Sequence, residues 1–415
     1  MTTSHWHATA PTHQLNLPDP LPRTADAIVL GGGILGVSAA YWLARSGVRA
    51  LLLDQLSLAA GATGRNGGFV TVGAALSYTR ARQTLGCDTA RAIWQMTYDS
   101  RSLLKAVIEG EGITCDYREP GTIHIVRSAR EMVHMRNEIA LLNADGFRHE
   151  WLDRAGLQGC VFTALGDDIA GASLLIGGGL LHSASLVAGI AHAARRWGVR
   201  LCQAEVMHLT MNRDAMVIHT HLGSIETPAL IVAANAWTRE LVPGMRAIIT
   251  PVRGQVVSFE PIERVFVHGF GVEVTDTGEY WQQTPDGVIV LGGCRAAHAT
   301  RDEDMLADDV THDVQAALDG VLPGLFPALA GRLNARRRWS GPMAFTPDRL
   351  PVMDRVPDLP NAWFVGGFCG HGMPFGLVFG QALAGATVSG SLPDMFTPFA
   401  LGRFQSRNTT DAIKR

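Results

Sequence analysis

Cysteine pairs of the C-x-x-C type are absent from this sequence of 415 residues, which contains six cysteines in all. The cysteines are scattered singly along the chain, at Cys87, Cys115, Cys160, Cys202, Cys294 and Cys369. Because a zinc site or a disulfide framework normally uses closely spaced cysteines, this distribution argues against both. We expect a protein of the reducing cytoplasm that carries no structural metal.

Long apolar runs and blocks of one charge are also missing. No stretch approaches the roughly 18 apolar residues of a membrane span, and the first 25 residues contain no run of signal-peptide length. The net charge is -3, and charges of both signs are interspersed. This composition excludes a nucleic-acid groove and a polybasic membrane patch, so the expected partner is a small molecule.

Residues 1–25 lack apolar periodicity and are rich in proline and small polar residues. Three histidines, His5, His7 and His13, could chelate a metal, but no cysteine lies near them. We expect a polar arm that is disordered or draped over the surface, with no role in metal binding.

What the sequence does contain is a strand, a glycine turn, a helix and a second strand between residues 26 and 54. The apolar run 27–30 is short, as is typical of a strand buried on both faces. A helix with apolar residues at helical spacing follows, and the second apolar run covers residues 50–53. The turn carries Gly31-x-Gly33-x-x-Gly36, and Asp54 closes the second run.

These glycines and the acid match the fingerprint of a dinucleotide-binding unit. The glycines allow a tight turn, close approach of the backbone to a pyrophosphate, and packing of helix on strand, and the N–H groups at the helix N-terminus attract the anion. Asp54 follows at the spacing that suits hydrogen bonds to the adenosine ribose. The alternative is a βαβ unit that uses its glycines only for packing. NAD, NADP and FAD all fit at this point.

A second glycine-rich segment, GATGRNGG at residues 61–68, follows this unit. It has no helical or strand periodicity. We expect it to contact the cofactor, with side-chain donors from Thr63, Arg65 and Asn66 and with backbone N–H groups near Gly67 and Gly68. A flexible connector is the alternative.

The rest of the chain alternates between helical and strand patterns. Helical patterns cover residues 84–110, 129–145, 186–197, 304–318 and 377–388, and strand patterns cover 121–126, 200–204, 229–234, 254–259, 280–283, 288–291 and 362–365. We interpret this as an α/β plus α+β fold in which a Rossmann-type nucleotide-binding domain is interleaved with a β-rich substrate domain. The predicted segments are 26–80, 152–240 and 332–415 for the first domain, and 81–151 and 241–331 for the second.

At the level of motif order, residues from about 26 to 404 resemble the D-amino-acid oxidase, glycine oxidase and sarcosine oxidase superfamily of FAD-dependent amine oxidoreductases. Within it, the chain is most similar to the gamma-glutamylputrescine oxidoreductase-type branch. The matching motifs are GGGILG at 31–36, GATGRNGG at 61–68, AANAW at 233–237, PVRGQ at 251–255, LGG at 291–293, TPDRLP at 346–351 and GGFCGHGM at 366–373.

The resemblance implies FAD bound in extended form. It places the ADP half at Gly31, Gly33, Ile34, Gly36 and Asp54. It places the pyrophosphate and the flavin edge near Thr63, Arg65, Asn66, Gly67 and Gly68, and the adenine near Val206. The pyrimidine end of the flavin is expected near Gly370, His371, Gly372 and Met373, and Gly341 is a further candidate for contact with the cofactor.

Three positions depart from the family pattern. Asp54 stands where the family usually has glutamate. Gly341 occupies the place of the cysteine that holds the flavin covalently in sarcosine-type members, so we expect non-covalent FAD. Pro374 replaces a lysine that binds the substrate carboxylate in those members, which makes a simple N-methyl amino acid a less suitable substrate.

The chemistry implied is hydride transfer from a carbon next to nitrogen to the flavin, which gives an imine that water hydrolyses. Candidate residues around the substrate are His371, Tyr280, Arg253 and Gln255, although His371 could instead brace its glycine loop and Arg253 could be a solvated edge residue. Strand alternation puts Tyr280 and Trp281 on opposite faces and leaves open which face lines the pocket. The alternatives in function are oxidation of a 2-hydroxy acid and a non-catalytic flavoprotein subunit. The sequence does not distinguish oxygen from another electron acceptor as the oxidant of the reduced flavin.

Overall fold

The computed structural model describes residues 2–212, 215–272 and 278–404. Its helices are, in chain order, α1 (His5–Thr9), α2 (Ile34–Arg45), α3 (Tyr78–Leu85), α4 (Cys87–Glu111), α5 (Ala129–Ala144), α6 (Arg154–Gln158), α7 (Ser183–Arg196), α8 (Thr238–Leu241), α9 (His312–Leu325) and α10 (Gly372–Ser389). Its strands are β1 (Ala27–Leu30), β2 (Ala50–Asp54), β3 (Phe69–Val70), β4 (Thr122–Val126), β5 (His149–Asp153), β6 (Gly171–Leu175), β7 (Gly179–Leu180), β8 (Arg200–Gln203), β9 (Val206–Asn212), β10 (Ala215–Thr220), β11 (Gly223–Thr227), β12 (Leu230–Val232), β13 (Thr250–Phe259), β14 (Gly269–Val272), β15 (Tyr280–Gln283), β16 (Ile289–Gly292), β17 (Ala335–Phe345), β18 (Val352–Arg355) and β19 (Ala362–Gly366).

The predicted unit at residues 26–54 is confirmed as β1, α2 and β2. These elements belong to a six-stranded sheet with the order β18-β19-β12-β1-β2-β8. Strand β1 pairs in parallel with β2 on one side and with β12 on the other, and all four of its residues are buried. Burial on both faces explains why its sequence is a continuous apolar run rather than an alternating one. Helix α2 packs against α7 and α10.

A second, eight-stranded sheet has the order β17-β13-β16-β15-β14-β4-β6-β5. Its neighbouring strands run antiparallel except for β4 and β14. On one face, Trp281 is fully buried and stacks on Phe270 with ring centroids 5.3 Å apart. Helix α9 covers this core with Val314, Leu318 and other apolar side chains. The other face of the sheet carries Tyr280 and is turned toward the dinucleotide-binding unit.

Strand pairing corrects two of the predicted domain boundaries. Strand β6 pairs with β4 and β5, and β17 pairs along its length with β13, so both strands belong to the eight-stranded sheet. The predicted segments 152–240 and 332–415 had assigned them to the nucleotide-binding domain. The sequence pattern could not show this, because a strand's partner depends on its cross-strand neighbours and not on its own composition. Residues 405–415 of the last segment lie outside the described residues.

The helix predicted at residues 304–318 also differs, because α9 begins only at His312. The stretch before it contains three residues with positive φ, Arg301, Asp302 and Asp304, and it turns the buried side chain of Asp302 toward Arg253. A left-handed backbone conformation is incompatible with a continuing helix.

The N-terminal arm is not a disordered or surface-draped tail, and that expectation was wrong. Residues His5–Thr9 form α1, and the side chains of Ser4, His5 and Trp6 are buried. The Trp6 indole N–H donates to the Asn66 carbonyl at 2.6 Å, and the Ser4 hydroxyl donates to the Gly64 carbonyl at 2.6 Å. The arm therefore packs directly on the glycine-rich segment 61–68.

Buried histidines in this arm and beneath it should make the free energy of unfolding depend on pH. Burial lowers the pKa of His5 from its ordinary value of 6.5 to about 4, and burial also lowers the pKa values of His7 and His182. Since the unfolded chain binds a proton near pH 6.5 and the folded His5 does not, stability rises with pH between about pH 4 and 6.5. When the pH is lowered from 7 to 5, the titration of His5 alone should reduce the free energy of unfolding by about 2 kcal/mol.

Urea unfolding followed at several pH values would measure this slope. His5→Asn should flatten it, whereas His13→Gln, at an exposed histidine of the same arm, should leave it unchanged. An unchanged slope in His5→Asn would contradict the assignment.

Among the described residues, no single helix is long and apolar enough to cross a membrane. Helix α10 and the segment Asp394–Phe404 pass a test of length and composition only together, and they are bent by 113° relative to each other.

Candidate active site

A cavity of about 1000 Å³ runs from the carboxyl edge of β1 and β2 to the eight-stranded sheet. It contains residues from every segment that the sequence predicted to contact a cofactor. The predicted residues on its lining are Gly31, Gly33, Ile34, Asp54, Thr63, Arg65, Asn66, Gly67, Val206, Tyr280, Gln255, Gly341, Gly370, His371, Gly372 and Met373. Residues separated by more than 300 positions in the sequence thus share one cavity wall.

The glycine turn between β1 and α2 forms one end of the cavity. Gly31 has a φ of +111°, and a Cβ on Gly36 would lie 1.8 Å from the Gly31 carbonyl oxygen, so Gly36 packs the turn and does not line the cavity. The Thr63 hydroxyl accepts a hydrogen bond from the Ile34 N–H at 3.2 Å, at the first residue of α2. The second glycine segment is thereby held against the N-terminus of α2, where N–H groups favour an anion.

Asp54 lies at the end of β2 beside this turn. Its two carboxyl oxygens accept hydrogen bonds from the Gly32 N–H at 2.7 Å and from the Leu56 N–H at 2.9 Å. Burial raises the pKa of the Asp54 carboxyl, and these two N–H groups oppose that rise. Each oxygen keeps a further lone pair for a ribose hydroxyl.

Inside the segment 61–68, the polar side chains hold the loop together. The Arg65 guanidinium donates to the Ala60 and Ser340 carbonyls, both at 2.8 Å, and lies 3.2 Å from the Asp308 carboxylate. The Asn66 side-chain oxygen accepts from the Gly68 N–H at 2.8 Å. Arg65 therefore joins the loop to β17, a role that the expectation of a cofactor donor did not include.

Gly341 lies on β17, directly against Arg65. A Cβ at this position would come within 2.7 Å of the Arg65 side chain. The space that a cysteine would need at residue 341 is therefore filled by Arg65.

The closing motif forms the opposite wall of the cavity. Cys369 and Gly370 both have positive φ, and His371 precedes the first turn of α10 with its Nδ1 3.4 Å from the Cys369 carbonyl oxygen. Burial lowers the pKa of His371, and the nearby charge of Arg349 lowers it further. The ring is therefore neutral at pH 7. Gly372 and Met373 present the N-terminus of α10 to the cavity.

The face of β15 that carries Tyr280 lines the cavity. The Tyr280 ring packs edge-on against Phe69 with centroids 5.9 Å apart, and its hydroxyl has no hydrogen-bond partner within the described part of the chain. Burial raises the pKa of Tyr280 to about 12, so the hydroxyl stays protonated and can donate. Gln282, on the same face, instead donates to the Gly67 carbonyl and is buried.

The structure gives no support to the predicted substrate contact of Arg253, which is a correction. The Arg253 guanidinium is buried and donates to Asp302 at 2.6 Å and to Asp309 at 2.7 Å, outside the cavity lining. Gln255 does reach the cavity wall, but its amide group is bound by Asp302 and Thr311, each at 2.7 Å. Both residues brace strand β13.

Sequence reasoning missed several polar residues of the cavity lining. These are His124, Glu138, His149, Glu279, Arg295 and Arg349. The guanidinium groups of Arg295 and Arg349 both lie over the Phe345 ring, at 5.1 and 5.4 Å from its centroid. The alternation of Thr122 and His124 in β4 was a usable signal, because it puts both residues on one face of the strand.

These residues fit a flavin dinucleotide. The glycine turn and the α2 N-terminus form a cradle for a pyrophosphate, Asp54 keeps acceptors for a ribose, and the cavity continues to Tyr280 and His371 with room for a ring system. In the described part of the chain, no group of three or more side chains could hold a metal ion.

Comparison with known proteins agrees with this geometry. The model of the family described as DAO, FAD dependent oxidoreductase, matches residues 26–386. The chain therefore belongs to this family, which confirms the predicted resemblance, FAD as the cofactor and an oxidoreductase activity.

Two solved structures and one relative show how far the similarity extends. The gamma-glutamylputrescine oxidoreductase of Escherichia coli (strain K12) is 26% identical over 368 residues, covering 87% of this chain and 83% of that protein. The glycine oxidase from Geobacillus kaustophilus superposes with a TM-score of 0.79 at 19% identity and covers 92% of this chain and 99% of its own. The L-proline dehydrogenase from P.horikoshii gives 0.78 at 23% identity, with 93% and 99% covered. The predicted mixed fold is confirmed by these likenesses.

Proposed function

We propose that the protein uses FAD to oxidise a carbon–nitrogen bond of an amine or amino-acid derivative. The observation that carries the proposal is one cavity in which the dinucleotide turn is continuous with a rim formed by Tyr280 and His371. The relatives named gamma-glutamylputrescine oxidoreductase, glycine oxidase and L-proline dehydrogenase support a nitrogen-containing substrate.

Bound FAD supplies the oxidant, which accepts a hydride from the carbon next to nitrogen. The chain's part is to hold the cofactor and to orient the substrate. Gly31, Gly33 and the N-terminus of α2 would hold the pyrophosphate, and Asp54 would hold the ribose. At the other end, the N-terminus of α10 and the segment 370–373 would lie at the flavin's pyrimidine ring.

Hydride loss requires the neutral amine, and the rim favours that form. His371 is neutral and Tyr280 is protonated at pH 7, so neither attracts an ammonium ion. Loss of hydride then leaves an iminium ion, which adds water and releases a carbonyl compound and an amine.

Gly341 supports non-covalent FAD, because no cysteine side chain is available at that position and Arg65 fills the space.

Anaerobic reduction of the purified flavoprotein tests the proposal. A panel of primary amines, N-methylated amines, amino acids and matching 2-hydroxy acids is added, and the flavin absorbance is followed. Bleaching by amines and not by their hydroxy counterparts is expected. Bleaching by hydroxy acids alone would establish the alternative substrate class, and no bleaching by any compound would favour a non-catalytic subunit. Peroxide release in air would then identify oxygen as the acceptor.

Tyr280→Phe should slow flavin reduction about tenfold, because one hydrogen bond from a neutral donor contributes up to about 1.5 kcal/mol, which is about a factor of ten in rate. The fold should persist, since the hydroxyl bonds to no described residue. Rapid-mixing reduction and the FAD content of the purified variant are the measurements. Tyr98→Phe, at a buried hydroxyl outside the cavity lining, is the matched control. Equal rates in both variants would show that Tyr280 has no part in the reaction.

A further inference from the structure

The cavity extends beyond Tyr280 and His371 to a second polar end formed by helix α5 and the outer strands of the eight-stranded sheet. From α5 it is lined by Met135, Glu138 and Leu142, which share one helix face. Facing them are side chains from β4, β6 and the start of β5, namely Thr122, His124, Ser173, Leu175 and His149.

Glu138 is the acidic group of this end, and half of its carboxylate is bound. Its Oε1 accepts a hydrogen bond from the Tyr78 N–H at 2.9 Å. Its Oε2 is buried and has no hydrogen-bond partner in the described part of the chain. The Nε2 atom of His134, a half-exposed histidine one turn earlier on α5, lies 3.9 Å from Oε2, which is beyond hydrogen-bond distance. A buried carboxylate oxygen without a partner costs free energy that a donor from a ligand would recover.

The arginines on the neighbouring helices do not satisfy this oxygen. Arg82 and Arg91 both pair with Asp145, which also accepts from the Tyr78 hydroxyl. These two arginines, one on α3 and one on α4, therefore lie close to the start of α3 but do not pair with Glu138.

The two imidazoles opposite Glu138 are kept uncharged. Burial lowers the pKa of His124 and of His149, and the Glu138 carboxylate opposes this only in part. Neutral imidazole and the Ser173 hydroxyl both have acceptor atoms for an N–H donor. His124 and His371 line the same cavity, so this end is continuous with the cofactor end.

Glu138 therefore stands as an acid among neutral acceptors, at the end of the cavity that lies beyond Tyr280 and His371. We propose that the Glu138 end is a cation subsite and that the substrate is an amine with a second, positively charged nitrogen remote from the bond that is oxidised. This inference rests on the proposed function for its reacting end only.

The reacting nitrogen and the remote nitrogen would then be bound in different protonation states. The first reacts as a neutral amine beside Tyr280 and His371, and the second remains an ammonium ion beside Glu138. A diamine meets this requirement, whereas a monoamine leaves the Oε2 atom without a partner and an ω-amino acid brings a carboxylate against Glu138.

Matched α,ω-diamines, n-alkylamines and ω-amino acids, from butyl to octyl chain length, are the probes. Binding to the holoenzyme is followed by perturbation of the flavin absorbance, and reaction by anaerobic reduction. For at least one chain length, the diamine should bind about tenfold or more tightly than the alkylamine and the ω-amino acid.

Glu138→Gln should remove this preference, with binding of the diamine weakened about tenfold and binding of the alkylamine changed less than about twofold. The amide oxygen can still accept from the Tyr78 N–H, so the variant keeps the contact that holds α3. Glu109→Gln removes one exposed carboxylate from α4, outside the cavity lining, and should behave as wild type.

The outcomes separate the subsite from the reaction. A diamine preference that depends on Glu138 without any flavin reduction would preserve the cation subsite and overturn the proposed function. Reduction by amines with no diamine preference, or with a preference that survives in Glu138→Gln, would overturn the cation subsite and leave the proposed function standing.

Discussion

Replacing Trp6 with alanine should lower the free energy of unfolding by about 3–5 kcal/mol, the usual cost of truncating a buried tryptophan. The side chain is 1% exposed and packs edge-on against His182 with ring centroids 5.0 Å apart. The Asn66 carbonyl would also lose its indole donor. Urea unfolding followed by circular dichroism would measure the change.

The same substitution should weaken FAD binding, because Trp6 packs on the segment that carries Thr63, Asn66 and Gly67. Titration of the apoprotein with FAD, followed by flavin fluorescence, would report this. Trp197→Ala is the control, since Trp197 is 52% exposed and lies outside the cavity lining. Equal FAD affinity in both variants would show that the arm stabilises the fold without supporting the cofactor loop.

Asp302→Asn should be comparably damaging, at about 3–5 kcal/mol, because it leaves the buried Arg253 charge without its buried partner. Asp302 is fully buried, and its two carboxyl oxygens bind Arg253 and Gln255. The remaining partner, Asp309, is largely exposed and compensates less. Asparagine tolerates the positive φ of this residue, so the expected loss comes from charge and hydrogen bonding.

Asp304→Asn provides the comparison. Asp304 also has positive φ and pairs with Arg239, but its side chain is 73% exposed, so the expected change is below about 1 kcal/mol. In the double variant Arg253→Met, Asp302→Asn, stability should be regained relative to Asp302→Asn, since no buried charge is left unpaired and Asp309 is largely exposed. A double variant as unstable as the sum of its two single variants would refute this explanation.

The cofactor end of the site was predictable from the sequence because its geometry is local. The turn at Gly31–Gly36 and the acid at Asp54 lie within about 25 residues, and the helix-terminal anion site depends only on that short segment. The segment at 370–373 was recognisable by its glycines, which provide the positive φ of Gly370. For these residues, the conformation that the function requires restricts the residue type directly.

The substrate end was less predictable because its geometry depends on distant partners. Arg253 had the residue type of a substrate contact, yet Asp302, 49 positions away, binds it. Trp6 stood in a polar arm with no periodic pattern, and its partner Asn66 is 60 positions away. Alternation separated Tyr280 from Trp281, but only the packing of α9 against one face decides which of them is buried in the core.

The parallel pairing of β1 with β12 has a consequence for how the protein is made. Ile28 emerges from the ribosome roughly 200 residues before its partner Leu230, and β19, which pairs with β12, follows still later. At about 5–20 residues per second, β1 waits on the order of 10–40 seconds with one edge unpaired. Such non-local sheets fold slowly and expose aggregation-prone edges. We expect excess FAD, which binds only the completed fold, to raise the yield of native protein.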